Sequence, residues 1–172
     1  MRQSLARKAA LHGLMLAVIV VLTAAEHLLP PLPLLPPGVK LGLSNIVTMY
    51  CVFYVGRGSA VTLNILKSLF VLLTRGALAG ALSLSGGLLS IGAVILLVFL
   101  WKEKASYAAV SVVGACAHNL GQYTAVSVVL RANYLTAYLP VLLISGLVMG
   151  LATGTLLKAT LPALRRMNPP AP

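Results

Sequence analysis

The chain has 172 residues, of which 59% are hydrophobic and only 9% charged. Soluble domains carry about 25% charged residues, so the composition excludes an ordinary globular fold and indicates an all-α integral membrane protein, a single transmembrane domain over residues 1–172. Thirteen Lys and Arg stand against two acidic residues, Glu26 and Glu103, but the cations are scattered between apolar runs, which excludes a nucleic-acid-binding face and marks them as topology signals and contacts to anionic lipid.

Six apolar segments follow in chain order: Ala9–Leu29, Leu41–Val55, Ala60–Leu73, Gly86–Trp101, Ala105–Leu130 and Tyr134–Leu161. The first follows Arg2, Arg7 and Lys8 and ends in Leu22-Thr-Ala-Ala, a pattern that mimics a signal peptide. With further spans downstream, it is expected to be a retained first transmembrane helix. Pro30-Pro-Leu-Pro-Leu-Leu-Pro-Pro-Gly38, which comes next, is too rich in proline to be helical. Being apolar and stiff, it either packs over the mouth of the bundle or serves as a rigid spacer. The second, third and fourth segments are shorter than the ~17–25 residues of a spanning helix. They therefore extend into flanking residues, or one of them is a broken or re-entrant element inside the bundle. Arg75–Gly87 is full of small residues and admits three readings: a gating loop, a helix extension or a re-entrant turn.

The sixth segment carries Gly146-xxx-Gly150-xxx-Gly154. Helices in lipid gain nothing hydrophobic by touching one another, so close approach over small residues has to hold them together. This stripe is expected to clamp the last helix into the bundle. At the base of the first helix, Ala6-xxx-Ala10 and Ala9-xxx-Gly13 are weaker small-residue pairs of the same kind, suited to packing within the chain or to docking of a partner helix.

Charge orients the set. With the N-terminus cytoplasmic, the inner ends collect Arg2, Arg7, Lys8, Arg57, Lys102, Lys104, Lys158, Arg165 and Arg166, and the outer ends only Lys40, Arg75 and Arg131. That asymmetry follows the positive-inside rule, and an odd number of spans would destroy it. Six transmembrane helices with both termini cytoplasmic are therefore expected.

Polar side chains at membrane depth are costly, so each is a functional candidate. Glu26 and His27 lie near the outer end of the first helix, and Lys40 and Asn45 near the outer start of the second. Asn64 and Lys67 share a face in the third. His118 falls about 20 Å along the fifth helix, with Asn119 and Gln122 beside it and a turn further out. These groups converge on the outer half of the membrane and suggest a polar cavity open to the exterior, with more cations than carboxylates. A carboxylate, phosphate or diphosphate would suit it. The substrate-contacting set expected is Lys40, Asn45, Asn64, Lys67, His118, Asn119 and Gln122. Plainer readings stand beside this one: Lys67 paired with Glu26, His118 and Asn119 bridging helices, and Arg75 and Arg131 anchored at the headgroups.

Absences narrow the chemistry. The chain has no Asp, hence no aspartate-rich magnesium site for diphosphate chemistry, and no Gly-rich loop with Lys-Ser/Thr to cradle nucleotide phosphates. Cys51 and Cys116 lie in apolar stretches, and three separated histidines offer no metal-ligand spacing. No catalytic residue, metal or resident cofactor is expected, and the chain is not expected to be an enzyme.

Pro37-Gly-Val-Lys-Leu-Gly-Leu-Ser-Asn45, Leu82-Ser-Leu-Ser-Gly-Gly-Leu-Leu-Ser90 and His118-Asn-Leu-Gly-Gln122 resemble motifs of the bacterial Gx transporter family, also labelled heptaprenyl diphosphate synthase component I. The likeness covers approximately residues 9 to 160. That family is grouped with the substrate-binding S-components of energy-coupling factor transporters. The resemblance implies a six-helix S-component-like bundle in the bacterial inner membrane. It would capture a small vitamin- or cofactor-related substrate, with a transmembrane coupling subunit and an ATPase pair as partners docking on Ala6, Ala9, Ala10 and Gly13. It also implies that the loop after the first helix closes over the substrate. Two other classes stay open: a non-catalytic accessory subunit of prenyl diphosphate or quinone biosynthesis, and a structural membrane subunit of a redox complex.

Overall fold

The computed structural model describes residues 5–28, 42–101, 106–131, 137 and 139–167. Among the described residues there are six α-helices and no strand: α1 Leu5–Leu28, α2 Leu43–Tyr50, α3 Arg57–Arg75, α4 Ala77–Trp101, α5 Tyr107–Leu130 and α6 Leu139–Met167. Three segments, Leu5–Glu26, Ala77–Trp101 and Leu139–Leu164, are long and apolar enough to cross a membrane. Their outward faces carry bare apolar side chains such as Phe99, Ile144 and Val148. That surface suits lipid, since a soluble monomer rarely leaves apolar patches of this extent open.

The termini of the helices alternate between two ends of the bundle. Three cross-links mark the end that carries the start of α1 and the end of α6. His12 Nε2 meets Ser59 Oγ at 2.8 Å, Tyr50 Oη donates to the Leu164 carbonyl at 3.0 Å, and the Tyr54 and Tyr107 hydroxyls meet at 2.6 Å. We call this the terminal end. Around it lies the apolar core, with Met15, Ile19, Tyr50, Leu63, Val94, Val110 and Leu157 fully buried.

Helix α3 turns into α4 through Gly76, whose φ of +89° an L side chain rarely adopts. The small residues after Arg75 therefore form a helix extension: α4 begins at Ala77, nine residues before the apolar run suggested. The reason is packing. Gly80, Ser83, Gly86, Gly87 and Ser90 are all buried on one face of α4, and a Cβ at Gly80 would stand 2.8 Å from Leu72 Cβ of α3. The third apolar segment also extends at both ends, and the sixth runs on through Pro162 to Met167.

Helix α2 is the short element. It continues into a π-helical turn, Cys51–Val55, whose widened ring is closed by the Gly56 amide donating to the Cys51 carbonyl at 2.7 Å. The two pieces make 13 residues (Leu43–Val55), about 20 Å of helix against a hydrocarbon core of about 30 Å. It is nevertheless buried from Ile46 to Cys51, surrounded by α1, α3, α4 and α6.

Helix α5 packs along both α4 and α6. The glycine stripe of α6 makes the second contact. A Cβ at Gly146 would stand 3.0 Å from Cys116 Cα, at Gly150 2.5 Å from Val112 Cα, and at Gly154 3.2 Å from Ala108 Cα. Steps of four residues up α6 match steps of four down α5, which is an antiparallel pair in backbone contact. Gly121 of α5 faces α4 in the same way, with a Cβ only 2.7 Å from the Ser85 carbonyl oxygen.

Candidate functional site

Away from the terminal end, the six helices enclose a cavity of about 420 Å³. Every helix contributes to its lining: Thr23 and Glu26 from α1, Asn45 and Met49 from α2, Lys67 and Arg75 from α3, Leu82 and Ser90 from α4, His118, Asn119 and Gln122 from α5, Gly146 and Met149 from α6. Its walls are mainly carbon, with polar groups placed singly among them, as in small-molecule sites generally.

Lys67 is the centre of the polar arrangement. The side chain is 6% exposed, and its ammonium donates to Asn45 Oδ1 at 2.8 Å. Lysine has only donors, so this contact fixes the Asn45 amide with its oxygen toward Lys67 and its NH₂ elsewhere. Arg75, two turns further along α3, lines the same cavity but is exposed.

Glu26 and Lys67 line one cavity, but the bond given by Glu26 is to backbone: its Oε1 accepts from the Leu43 amide at 2.6 Å. Leu43 opens α2, so the carboxylate supplies an acceptor to one of the amides that a helix start leaves unpaired, and sits where the helix dipole favours negative charge. Thr23 lies one turn earlier on the same face of α1. It is 3% exposed, and its Oγ1 has no hydrogen-bond partner among the described residues.

On α5, Asn119 Nδ2 donates to the Leu142 carbonyl of α6 at 2.8 Å, so this side chain bridges two helices while lining the cavity. His118 also lines it and packs against α4, where a Cβ at Gly86 would come within 2.9 Å of its Cε1. Gln122 lies one turn on from both.

Of the seven residues expected from the sequence, five line the cavity together: Asn45, Lys67, His118, Asn119 and Gln122. Asn64 does not. It is 1% exposed and wedged against Gly87 of α4, in the space a side chain at that glycine would need. There it helps line a minor recess with Ser90 and Val94. Lys40 and the Pro30–Gly38 segment lie outside the described residues. Ala6, Ala9, Ala10 and Gly13 are all exposed on α1, and a Cβ at Gly13 would meet nothing within 4 Å among the described residues.

Sequence reasoning left out of that set Glu26, Thr23 and the cavity-lining hydroxyls of Ser44, Ser90, Ser111 and Thr153. Thr23 and Glu26 were detectable as an i, i+3 pair on an otherwise apolar helix. The serines carried no such signal, because small hydroxyl residues also serve helix packing. Among the described residues, no group of three or more His, Cys, Asp or Glu could hold a metal ion.

No curated protein and no solved structure matches the chain. The family model described as heptaprenyl diphosphate synthase component I matches residues 15–160, a span that includes every residue placed in the cavity wall above. The chain is a member of the heptaprenyl diphosphate synthase component I family.

Proposed function

We propose that this protein is the substrate-binding membrane subunit of an uptake system, similar to an energy-coupling factor S-component, in a bacterial inner membrane. It captures a small, anionic, vitamin- or cofactor-related molecule. A transmembrane coupling subunit and an ATPase pair supply the work. Both termini are cytoplasmic and all six helices cross. Helix α2 crosses despite its length because it is shielded by neighbouring helices and needs little lipid-facing surface of its own.

The observation that carries this reading is the cavity itself, about 420 Å³ with a 6% exposed lysine in its wall. A cavity of ligand size with mainly carbon walls and polar groups placed singly among them, a cation included, is what recognition of a small polar or anionic molecule calls for. The cavity lies away from the terminal end, which on this reading is the outer half of the membrane. The chain is not proposed to be an enzyme. Elongation of a prenyl diphosphate needs acidic magnesium ligands, and the sequence holds no Asp and two Glu, one of which caps α2.

The family description itself favours a second reading, an accessory membrane subunit beside a separate prenyl diphosphate synthase. Native mass spectrometry of the detergent-purified protein, with extraction of bound small molecules, separates the two. A polar compound that copurifies, and is lost in Lys67→Ala, supports capture. Prenyl lipid alone, with a soluble Asp-rich synthase copurifying, supports the accessory role and overturns the first reading.

A further inference from the structure

We infer that α5 turns a hydrogen-bond acceptor and a donor into the cavity side by side, and that the ligand they fit carries a ring amide edge: an N–H next to a C=O, as in a lactam, imide or ureide. This rests on the capture reading and names the chemistry that the site recognises. Such an edge is compatible with an acid group elsewhere on the same molecule.

Asn119 supplies the acceptor. A backbone carbonyl only accepts, so the 2.8 Å contact with Leu142 fixes the Asn119 NH₂ toward α6. The amide oxygen is the end left for the cavity that Asn119 lines, and no bond among the described residues engages it. Gln122 follows three residues later on the same face of α5, where side chains start about 5–6 Å apart. It lines the cavity too, and its amide makes no hydrogen bond among the described residues. Its stem is seated on α4, since a Cβ at Gly86 would stand 2.9 Å from the Gln122 Cγ. The Gln122 amide holds both an NH₂ and a carbonyl, so it is able to donate beside the oxygen of Asn119.

Folded proteins leave few sheltered polar groups unmet, so amides set in a mainly carbon wall call for partners on the ligand. The Thr23 hydroxyl of α1, 3% exposed and without a partner among the described residues, is a further group of this kind. A ligand hydroxyl would have to serve the Asn119 oxygen and the Gln122 amide from a single atom. A ring amide carries donor and acceptor on neighbouring atoms and holds them in one plane, which matches two amides on successive turns. Met49, Leu82 and Met149 add apolar surface to the lining, suited to the faces of a flat ring. A volume of about 420 Å³ lies in the lower part of the ~300–1,000 Å³ range of small-molecule sites.

The test uses the full chain in lipid nanodiscs, with the unfolding temperature followed against probe concentration. Three neutral two-ring probes of one size are compared: 2-quinolone, which carries the amide edge, coumarin, in which a ring oxygen replaces the N–H, and 2-naphthol, which offers one hydroxyl. 2-Quinolone is expected to bind tighter than coumarin by about tenfold or more, because coumarin sets an oxygen against that of Asn119 and leaves it without a donor. 2-Naphthol falls between the two. Asn119→Leu is expected to erase the gap between 2-quinolone and coumarin. That variant also loses the bond to Leu142, so the readout is the ratio of the two probes within one variant, which a loosened α5–α6 contact does not move. Gln122→Met is expected to weaken both probes alike and keep their ratio, because both retain the C=O. Coumarin or 2-naphthol binding as tightly as 2-quinolone overturns the inference, as does a gap that persists in Asn119→Leu or unchanged 2-quinolone binding by Gln122→Met. So does the absence of any shift with 2-quinolone at about 2 mM in protein that still melts cooperatively. Failure of the capture reading looks different: no probe binds and no small molecule copurifies with the parent. A copurifying compound that lacks an N–H beside a C=O and is released by Gln122→Met overturns the amide assignment and leaves capture standing.

Discussion

Glu26 and Lys67 are the two charges whose burial has to be accounted for, and the structure gives them different work. Glu26 accepts the first amide of α2, so its removal leaves a part-buried N–H without an acceptor. We expect Glu26→Ala to lower stability by about 1–2 kcal/mol, read as a drop in unfolding temperature in detergent, whereas Glu26→Gln, which keeps an acceptor oxygen, recovers most of the loss. Equal stability of the two variants would show that the carboxylate does not hold the start of α2. Lys67 gives a hydrogen bond where Glu26 takes one. Removing the ammonium leaves the Asn45 Oδ1 that it donates to without that donor, so Lys67→Met is expected to lose ligand and to cost about 1–3 kcal/mol of stability as well. A Lys67→Met protein that unfolds in its purification detergent would make this lysine structural. The contrast also shows where the sequence stopped being informative. Asn64 and Lys67 sit three residues apart, and helical spacing puts them on one face. That face is wide enough for Lys67 to reach the cavity while Asn64 fills the gap left by Gly87. The cost of a polar residue in a membrane helix is legible in the sequence, but its direction within about 60° is not.

Helix by helix, small residues decide the packing, and their effect can be graded. Gly150 lies where a Cβ would stand 2.5 Å from the Val112 Cα, which is backbone and cannot swing away, while a Cβ at Gly92 meets nothing within 4 Å. Gly150→Ala is expected to force α5 and α6 apart and cost about 1–3 kcal/mol. Gly92→Ala should be neutral or stabilising by up to about 1 kcal/mol, since alanine is the better helix former. Unfolding of both variants in the same mixed-detergent titration checks the pair, and equal losses would mean that the glycine stripe is not the clamp. The regular Gly146-Gly150-Gly154 spacing is simple to see in the sequence. The matching face of α4, Gly80, Ser83, Gly87 and Ser90, is not, because its spacing mixes three and four residues and begins before the strongly apolar run. For the same reason the sequence left this helix start open among a gating loop, a helix extension and a re-entrant turn. The π-helical turn at Cys51–Val55 left no mark in the hydrophobic pattern at all, since it changes the hydrogen-bond ring and not the residue types.

For the molecule as a whole, the positions of the helix ends and of the charges agree. The terminal end of the bundle carries the start of α1 and the end of α6, tied through Tyr50 and Leu164, and Arg7, Lys8, Arg57, Lys158 and Arg166 fall toward that end of their helices. Reporter fusions at each terminus are expected to report cytoplasm for both, and a split result would remove one crossing, most simply α2. At that same end, α1 exposes Ala6, Ala9, Ala10 and Gly13. Three of these small residues leave only Cβ-sized cover over the helix backbone and one leaves none, and a Cβ at Gly13 would meet nothing within 4 Å among the described residues. A lone helix in lipid has no use for such thinness, because lipid tails fit bulky side chains as well as small ones. A second helix does, since close approach is what makes contact between membrane helices favourable. Gly13→Leu therefore separates folding from assembly. With open space around Gly13, the variant is expected to fold and melt like the parent and to bind the same ligand. On the proposed uptake reading, it should nevertheless fail to copurify with the coupling subunit and ATPase pair that the parent is expected to bring down from its own membrane. Retention of those partners by Gly13→Leu would place the docking surface elsewhere. Loss of stability in the isolated variant would mean that this face of α1 belongs to the fold.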